Sequence, residues 1–327
     1  MSGAFQELPE IVSKRMNTQH IGFGGSVGKT TEKNDWLRYA KSEDLIEYGF
    51  ESEFVGRLPV RAVFEKLTEQ DLFEILKNPS NPIVLGKKLD FGAYGIDIKF
   101  EDALLKQLAN TAFKENTGAR GLVSAVENAL LHFEKRLPSL NIRRFPATET
   151  LVSDPERSLS LIDEDPGGDQ WTTTFDQLLQ SERDYIASYL NDNWDQWMDQ
   201  YHLSLTPVRA EVIADYYSRR IIDIGTAIGV IKKFHEKVKA IELKFFKTHE
   251  INIILEEETV DYLMGELAGG STTIEGIFSK LTDDFKHGLK LILEKTGKNR
   301  FFISRDALLS PETYLNTLIR DELRQIT

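Results

Sequence analysis

The sequence predicts a helix-dominated α/β chain, and three observations carry that prediction. Apolar residues recur at helical spacing through most of the chain, as in Ala119 to Arg136. Extended runs are few and short, Ile96 to Phe100 being the clearest. A pattern of short strand, acidic helix start, Gly-containing turn, amphipathic helix and basic strand occurs twice, once on each side of a long helical stretch.

Taken in order, Phe5 to Met16 predicts a short helix, followed by the Gly-rich loop Ile21-Gly22-Phe23-Gly24-Gly25-Ser26-Val27-Gly28. Ser42 reads as the N-cap of a helix over Glu43 to Tyr48 with acidic residues in its first turn, and Gly49 stops it. Pro59 to Phe64 predicts an extended run. Thr68 caps a helix through Lys77 that Asn78-Pro79 ends, and Pro82 to about Asp90 is a second helix. A turn at Gly92 and Gly95 leads to the strand Ile96 to Phe100. Helices Glu101 to Glu115 and Ala119 to Arg136 follow; Pro138 breaks the second, and a strand over Ile142 to Phe145 closes the unit.

Ser153 to Gln170, rich in Asp, Pro, Gly and Ser, predicts a linker. Phe175 to Met198 carries aromatics and leucines at helical spacing, and the Trp and Tyr residues crowded there predict a helical core or interface. Thr206-Pro207 is an N-cap with proline at the first helical position, starting a helix that reaches toward Lys247, with Gly225 and Gly229 as candidate bends. Beyond it, Ile251 to Thr259 resembles Ile96 to Leu104, and Asn299 to Ile303 takes the place of Asn141 to Phe145. The alternatives are duplication of a small α/β domain and a chance match of two common βαα patterns.

Composition excludes several functions. The 327 residues carry a net charge of −12, so no basic footprint points to nucleic acid. No apolar run approaches the roughly 20 residues that a membrane span needs. Cysteine is absent, which removes disulfides and thiolate metal sites, and the six histidines show no ligand spacing, so no metal is expected. A cytoplasmic setting fits this composition. Two segments mimic nucleotide-site motifs. Gly28-Lys29-Thr30 looks like the end of a phosphate loop, but Phe23 stands where its first glycine belongs and no strand precedes it. Leu161-Ile162-Asp163-Glu164 imitates a Walker B strand end, but its apolar run is too short.

Three segments in order carry a family signature. They are Gly3-Ala4-Phe5 leading to Ile21-Gly22-Phe23-Gly24, then Glu53-Phe54-Val55-Gly56-Arg57-Leu58-Pro59-Val60, then Thr117-Gly118-Ala119-Arg120-Gly121-Leu122. Asp44 to Phe50 and Leu137-Pro138-Ser139 fit the same pattern. Over about Met1 to Phe145 the chain resembles the C-terminal part of the ClpX-type AAA+ unfoldases, the partners of ClpP-type peptidases. The sister HslU type shares the Gly-Arg-Leu-Pro element, but Ile21-Gly22-Phe23 favours ClpX.

The resemblance implies roles for individual residues. Arg57 would be the arginine finger reaching ATP bound in a neighbouring subunit, a task suited to a permanent, forked cation; read alone, it is a surface arginine in a turn. Arg120 would be the sensor-2 arginine that contacts ATP phosphates; read alone, it is a helix-start cation placed mildly against the helix dipole. Ile21, Gly22 and Phe23 would dock in clefts of the peptidase; read alone, they are a loop packed on its own domain. The implied cofactor is ATP or ADP with Mg in the complete protein. The implied partners are a ClpP-type peptidase, protein substrates and other AAA+ subunits in a hexamer.

The expected organisation is a trailing edge of an AAA+ large domain at 1–65, a small lid domain at 66–152, and a helical extension at 153–327 with a lid-like repeat over 207–305. The family's Walker A, Walker B and sensor-1 segments would lie ahead of Gly3, and they are not in this sequence. The chain is therefore expected not to bind or hydrolyse ATP alone, which leaves its status as an enzyme open. The reading that follows is the C-terminal part of an ATP-dependent unfoldase, with a non-catalytic peptidase-docking or regulatory module as the alternative.

Overall fold

The computed structural model describes residues 5, 7–19, 35–58 and 60–324. The chain divides into two compact units, Met1–Leu67 and Thr68–Thr327.

The first unit contains α1 (Leu8–Gln19), α2 (Ser42–Glu47) and α3 (Ser52–Gly56), with a 3-10 turn at Asp35–Tyr39. Leu8, Val12 and Val55 are its buried aliphatic residues. Asp44 is 1 % exposed and accepts from Arg15 Nε at 2.6 Å, from Arg15 Nη2 at 2.9 Å and from the Lys41 amide at 2.7 Å. Burial pushes this carboxyl up, but Arg15 and the Lys41 amide outweigh it and hold it below the ordinary carboxylate range. The helix starts one residue earlier than its sequence predicts, at Ser42, because Asp44 closes a capping box on Lys41. Phe5, Tyr48, Phe50 and Phe54 form a row of ring contacts. The stretch predicted as extended up to Phe64 forms no ladder among the described residues, and Val60 and Phe64 are 81 % and 91 % exposed.

The second unit begins with α4 (Glu69–Lys77), α5 (Pro82–Ala93), β1 (Asp97–Phe100), α6 (Asp102–Lys114), α7 (Ala119–Arg136) and β2 (Arg144–Ala147). Thr68 caps α4 as its sequence predicts, its hydroxyl accepting from the Asp71 amide at 3.1 Å. The strands pair in parallel, Ile98 opposite Phe145 and Lys99 opposite Pro146. The closing strand lies two residues beyond the predicted start and includes Pro146. A two-stranded sheet tolerates that proline, because β2 pairs along one edge only. Phe91, Phe133 and Phe145 pack together behind the sheet, with Phe133 and Phe145 centroids 5.0 Å apart.

The predicted linker is a correction: α8 (Glu149–Ser153) and α9 (Pro155–Glu164) fill most of it. Asp154 caps α9 by accepting from the Arg157 amide at 3.3 Å, Pro155 takes the first helical position, and Ile162 is buried. The Asp, Pro and Ser content signalled a capped helix start. The Walker B look-alike at Leu161 to Glu164 is the end of this helix.

Two helices follow, α10 (Asp169–Asp192) and α11 (Trp194–Tyr201), then α12 (Pro207–Ser218) and α13 (Ile224–His249). The single long helix expected from Thr206 is therefore two. The break lies between Ser218 and Ile224, and Asp223 opens α13 by accepting from the Thr226 amide at 2.9 Å. Gly225 and Gly229 lie inside α13 and do not interrupt it.

The chain ends in β3 (Ile253–Leu255), α14 (Glu257–Gly269), α15 (Ile274–Thr296), β4 (Phe301–Ile303), α16 (Arg305–Leu309) and α17 (Pro311–Arg324). This order repeats that of β1 through α9. β3 and β4 are again parallel, with Ile253 opposite Phe301. Glu101 before α6 donates its amide to Ala147 O at 3.0 Å, and Glu256 before α14 does the same to Ile303 O at 3.1 Å. Thr148 caps α8 and Ser304 caps α16, and both α9 and α17 begin at proline. The pairing corrects the sequence alignment of the closing strands. Phe301, not Ile303, is the counterpart of Phe145, since both sit opposite the matched isoleucines Ile253 and Ile98.

Between the two βααβ units lies α10, which packs on β1, β2 and α12. Glu182 on α10 meets Lys99 of β1 at 3.0 Å and also pairs with Lys88 of α5. Lys99 further donates to the Ser218 carbonyl at the end of α12.

Candidate functional site

Arg57 follows α3 as its C-cap residue, with φ −85° and ψ −4°. The five-residue helix begins at Ser52, so the cation sits at the end where a helix favours positive charge. The side chain is exposed, and it makes no ion pair or hydrogen bond with the described residues. Val55 is buried two residues earlier and anchors the turn.

Arg120 is the second residue of α7 and is exposed. Gly118, the N-cap, has φ +64° and ψ −149°, a conformation for which glycine is the suited residue. No side chain caps α7 and no acidic residue lies in its first turn. The orphan amides of this helix start thus lack a side-chain acceptor, and the adjacent guanidinium is unpaired among the described residues. Gly121 is the close-packed point: a Cβ there would lie 2.5 Å from Thr117 Oγ1 and 3.3 Å from both Ala112 Cβ and the Ala112 carbonyl oxygen. Thr117, Gly118 and Gly121 therefore set the entry of α7 against α6, and Arg120 is presented outward. Amides with a fixed cation beside them are suited to an anionic oxygen.

The second βααβ unit supplies an internal comparison. Its α15 begins Thr273-Ile274-Glu275-Gly276-Ile277, where α7 begins Gly118-Ala119-Arg120-Gly121-Leu122. Thr273 caps α15 by accepting from the Gly276 amide at 3.1 Å, and Glu275 puts a negative charge in its first turn. The same position carries a cation in one unit and an anion in the other. The second start is already satisfied by its own side chains, and it repels phosphate.

Ile21, Gly22 and Phe23 lie outside the described residues, as does Gly28-Lys29-Thr30. Arg57 belongs to the first unit and Arg120 to the second. A cleft of about 370 Å³ between α4, α5 and α10 is lined by Asn81, Lys88, Glu182, Tyr185 and Tyr217, and it includes neither arginine. Lys88 and Glu182 pair within it, so it reads as the seam between α10 and the helices before β1. Among the described residues no cluster of three His, Asp or Glu side chains could hold a metal ion, and no helix is long and apolar enough to cross a membrane.

Sequence reasoning missed the charge pair Lys99–Glu182, because a lysine in a short strand carries no signal of burial. It also missed Arg209, which is fully buried on α12. Arg209 Nε donates to Asp261 Oδ1 at 2.8 Å, and Arg209 Nη2 to Glu257 Oε2 at 2.8 Å.

Comparison with known proteins finds similarity over part of the chain. The profile of the C-terminal, D2-small domain of ClpB protein matches residues 67–133, a span that contains α4 to α6 and most of α7. The ATP-dependent Clp protease ATP-binding subunit ClpX of Borrelia duttonii (strain Ly) is 42 % identical over 137 residues, which is 42 % of this chain and 32 % of that protein. The protein of the same name from Treponema denticola is 37 % identical over 144 residues, 43 % of this chain and 35 % of its own length. The chain thus spans about a third of the length of the curated relatives it matches. Over the matched stretch, which is helix-rich in the structure, the chain is similar to ClpX-type proteins.

Proposed function

We propose that this chain contributes the nucleotide-sensing and protease-docking portion of a ClpX-type, ATP-dependent protein unfoldase. The observation that carries the reading is Arg120, an exposed and unpaired arginine in the first turn of an uncapped helix, inside the stretch that matches the D2-small domain profile. The residues fit a phosphate contact. The amides at the start of α7 lack a side-chain acceptor, and Arg120 supplies a permanent charge beside them. ATP with Mg, when bound by the complete protein, supplies the phosphoryl chemistry. The part of this chain is to hold Arg120 toward a phosphate oxygen from the small domain, and Arg57 toward one from a neighbouring subunit. The ligands for the metal and the cradle for the phosphates come from an ATP-binding half that these 327 residues do not include.

Ile21-Gly22-Phe23 is assigned to peptidase docking on its sequence alone. Two apolar side chains between glycines gain nothing from exposure unless a partner covers them.

The test supplies the missing half: a polypeptide carrying the phosphate loop and Walker B strand is joined to or mixed with this chain, and ATP hydrolysis is measured. Hydrolysis that requires this chain and falls at least about 10³-fold in Arg57→Ala, the lower range for an arginine finger, supports the reading. Normal turnover in both Arg57→Ala and Arg120→Ala overturns it. Capture of a ClpP-type peptidase that is lost with Phe23→Ala tests the docking role separately.

A further inference from the structure

The two βααβ units differ in what covers the outer face of their sheets. In the first, that face is formed by Lys99 on β1 with Pro146 and Arg144 on β2. Helix α10 lies across it. Lys99 is 2 % exposed beneath Glu182, Pro146 is buried, and Phe175 of α10 is 2 % exposed. Arg144 reaches over the α10 surface, its guanidinium 5.4 Å from the Phe175 ring centre and 3.3 Å from Asp176. The occupant is an amphipathic helix that presents an aromatic residue, an adjacent carboxylate for the arginine, and a third residue two turns on, opposite the middle of β1.

The corresponding residues of the second unit are Ile254, Phe302 and Arg300. Ile254 and Phe302 are direct cross-strand partners, as Lys99 and Pro146 are. Helix α13 packs on β3, but no described helix packs as closely on both β3 and β4 as α10 does on β1 and β2. Phe302 is 49 % exposed, although Tyr314 on α17 donates to its carbonyl at 2.8 Å. Arg300 is exposed and lies 5.4 Å over the Phe302 ring, and it makes no ion pair with the described residues. Where the first unit offers a lysine to an acidic helix residue, the second offers an apolar pair, with the flanking arginine retained.

We propose that the Ile254–Phe302 face is a docking site for an amphipathic helix of another polypeptide. That helix carries an acidic residue for Arg300 and an apolar residue two turns later, against Ile254. The copy of this mode inside the same chain fixes the chemistry of the occupant. Its own α10 is not available, since Phe175 and Glu182 are committed to the first unit. A second copy of the chain on this face is the alternative that the test below separates. The proposal does not depend on the nucleotide-sensing role assigned above.

The probe is a fluorescein-labelled peptide of residues 169–192 carrying Glu182→Leu, which retains Phe175 and Asp176 and turns the third contact apolar. Its anisotropy is titrated with the full chain. Saturable binding is expected, weakened at least about tenfold by Phe302→Glu, a difference of roughly one decade in Kd. Arg300→Glu should weaken it as well, and a peptide with Asp176→Lys should bind the Arg300→Glu chain better than the unchanged one. Unchanged circular dichroism melting of Phe302→Glu shows that the exposed substitution leaves the fold intact. Equal binding by the unchanged and Phe302→Glu chains, or no saturation at about 0.5 mM, overturns the proposal. So does sedimentation of the unchanged chain as a dimer that Phe302→Glu dissociates, because the face would then be covered by a second copy.

Discussion

Arg120 and Glu275 occupy the second position of corresponding helices, α7 and α15, and carry opposite charge. The scaffold around them is shared down to the following glycine, Gly121 or Gly276. A cation in the first turn works against the helix dipole, whereas a glutamate there works with it, each by about 0.3–1 kcal/mol. The α15 start is what a helix adopts for its own stability. The α7 start has neither the side-chain cap nor the favourable charge, which is the pattern the phosphate contact proposed for Arg120 calls for.

The contrast predicts a charge-specific result. In the assembly completed with an ATP-binding half, Arg120→Glu should lower turnover at least about tenfold, the loss of one charge-assisted phosphate contact at about 1.4 kcal/mol or more. Glu275→Arg should leave turnover unchanged, because no nucleotide contact is proposed for the second βααβ unit. ATPase rates of the two variants decide it. Equal losses in both would mean that the substitutions act through folding.

Glu182 contributes to the pH dependence of the second unit. Burial pushes its carboxyl up, but Lys88 and Lys99 outweigh that and hold it below the ordinary value of 4.5. The folded state therefore keeps this group ionised where the unfolded chain takes up a proton. The stability it contributes is full above about pH 4.5 and is lost as the pH falls through the depressed folded value. Glu182→Gln should cost about 3 kcal/mol at pH 7, the low end for breaking one side of a buried pair. It should also flatten the loss of stability between neutral and acid pH. Urea unfolding at several pH values measures both, and an unchanged acid slope in the variant would remove Glu182 from the account.

Local chemistry made most of the stretch from α4 to β2 legible in the sequence. Thr68 and Asn78-Pro79 bracket α4, Gly118 and Pro138 bracket α7, and each signal acts within a few residues. Ser153 to Gln170 misled because Asp154-Pro155 serves equally as a turn and as a cap with proline at the first helical position, and only the burial of Ile162 decides between them. The break between α12 and α13 was hidden because Asp223 stands inside a run of apolar residues at helical spacing, and its capping role shows only in the bond it accepts from the Thr226 amide. Arg57 and Arg120 could be named from motifs. Lys99, Glu182 and Arg209 could not, since their meaning lies in partners far along the chain.

Gly121 and Gly276 should respond differently to alanine. At Gly276 the added Cβ would meet Thr272 Oγ1 at 3.2 Å and Thr273 Oγ1 at 3.4 Å, side-chain atoms that can yield. At Gly121 it would meet Thr117 Oγ1 at 2.5 Å together with the Ala112 carbonyl oxygen at 3.3 Å. Alanine gains up to about 1 kcal/mol of helix propensity at either site. Gly276→Ala should be neutral or stabilising, and Gly121→Ala should lose about 1–3 kcal/mol to overpacking. Thermal melts of both variants test this, and equal shifts would show that α7 can slide away from α6 without cost.

The buried arginine of α12 gives the largest expected effect. Arg209 and Asp261 have side chains 0 % and 4 % exposed, 2.6 Å apart at closest approach. Thr206 donates to the second Asp261 oxygen at 2.9 Å, and Ser204 Oγ accepts from Arg209 at 2.9 Å. Every strong partner of the guanidinium is supplied by the protein, so removing Asp261 leaves a buried charge with only the half-exposed Glu257 carboxylate and Ser204 to face it. Asp261→Ala should cost about 3–5 kcal/mol. Replacing both members with apolar residues of similar volume, as in Arg209→Met with Asp261→Leu, should recover much of that loss, because the penalty arises from the unpaired charge and not from the absence of a bridge. Urea midpoints of the single and double variants separate the two. A double variant as unstable as Asp261→Ala would mean that the network also fixes the register of α12 on α14.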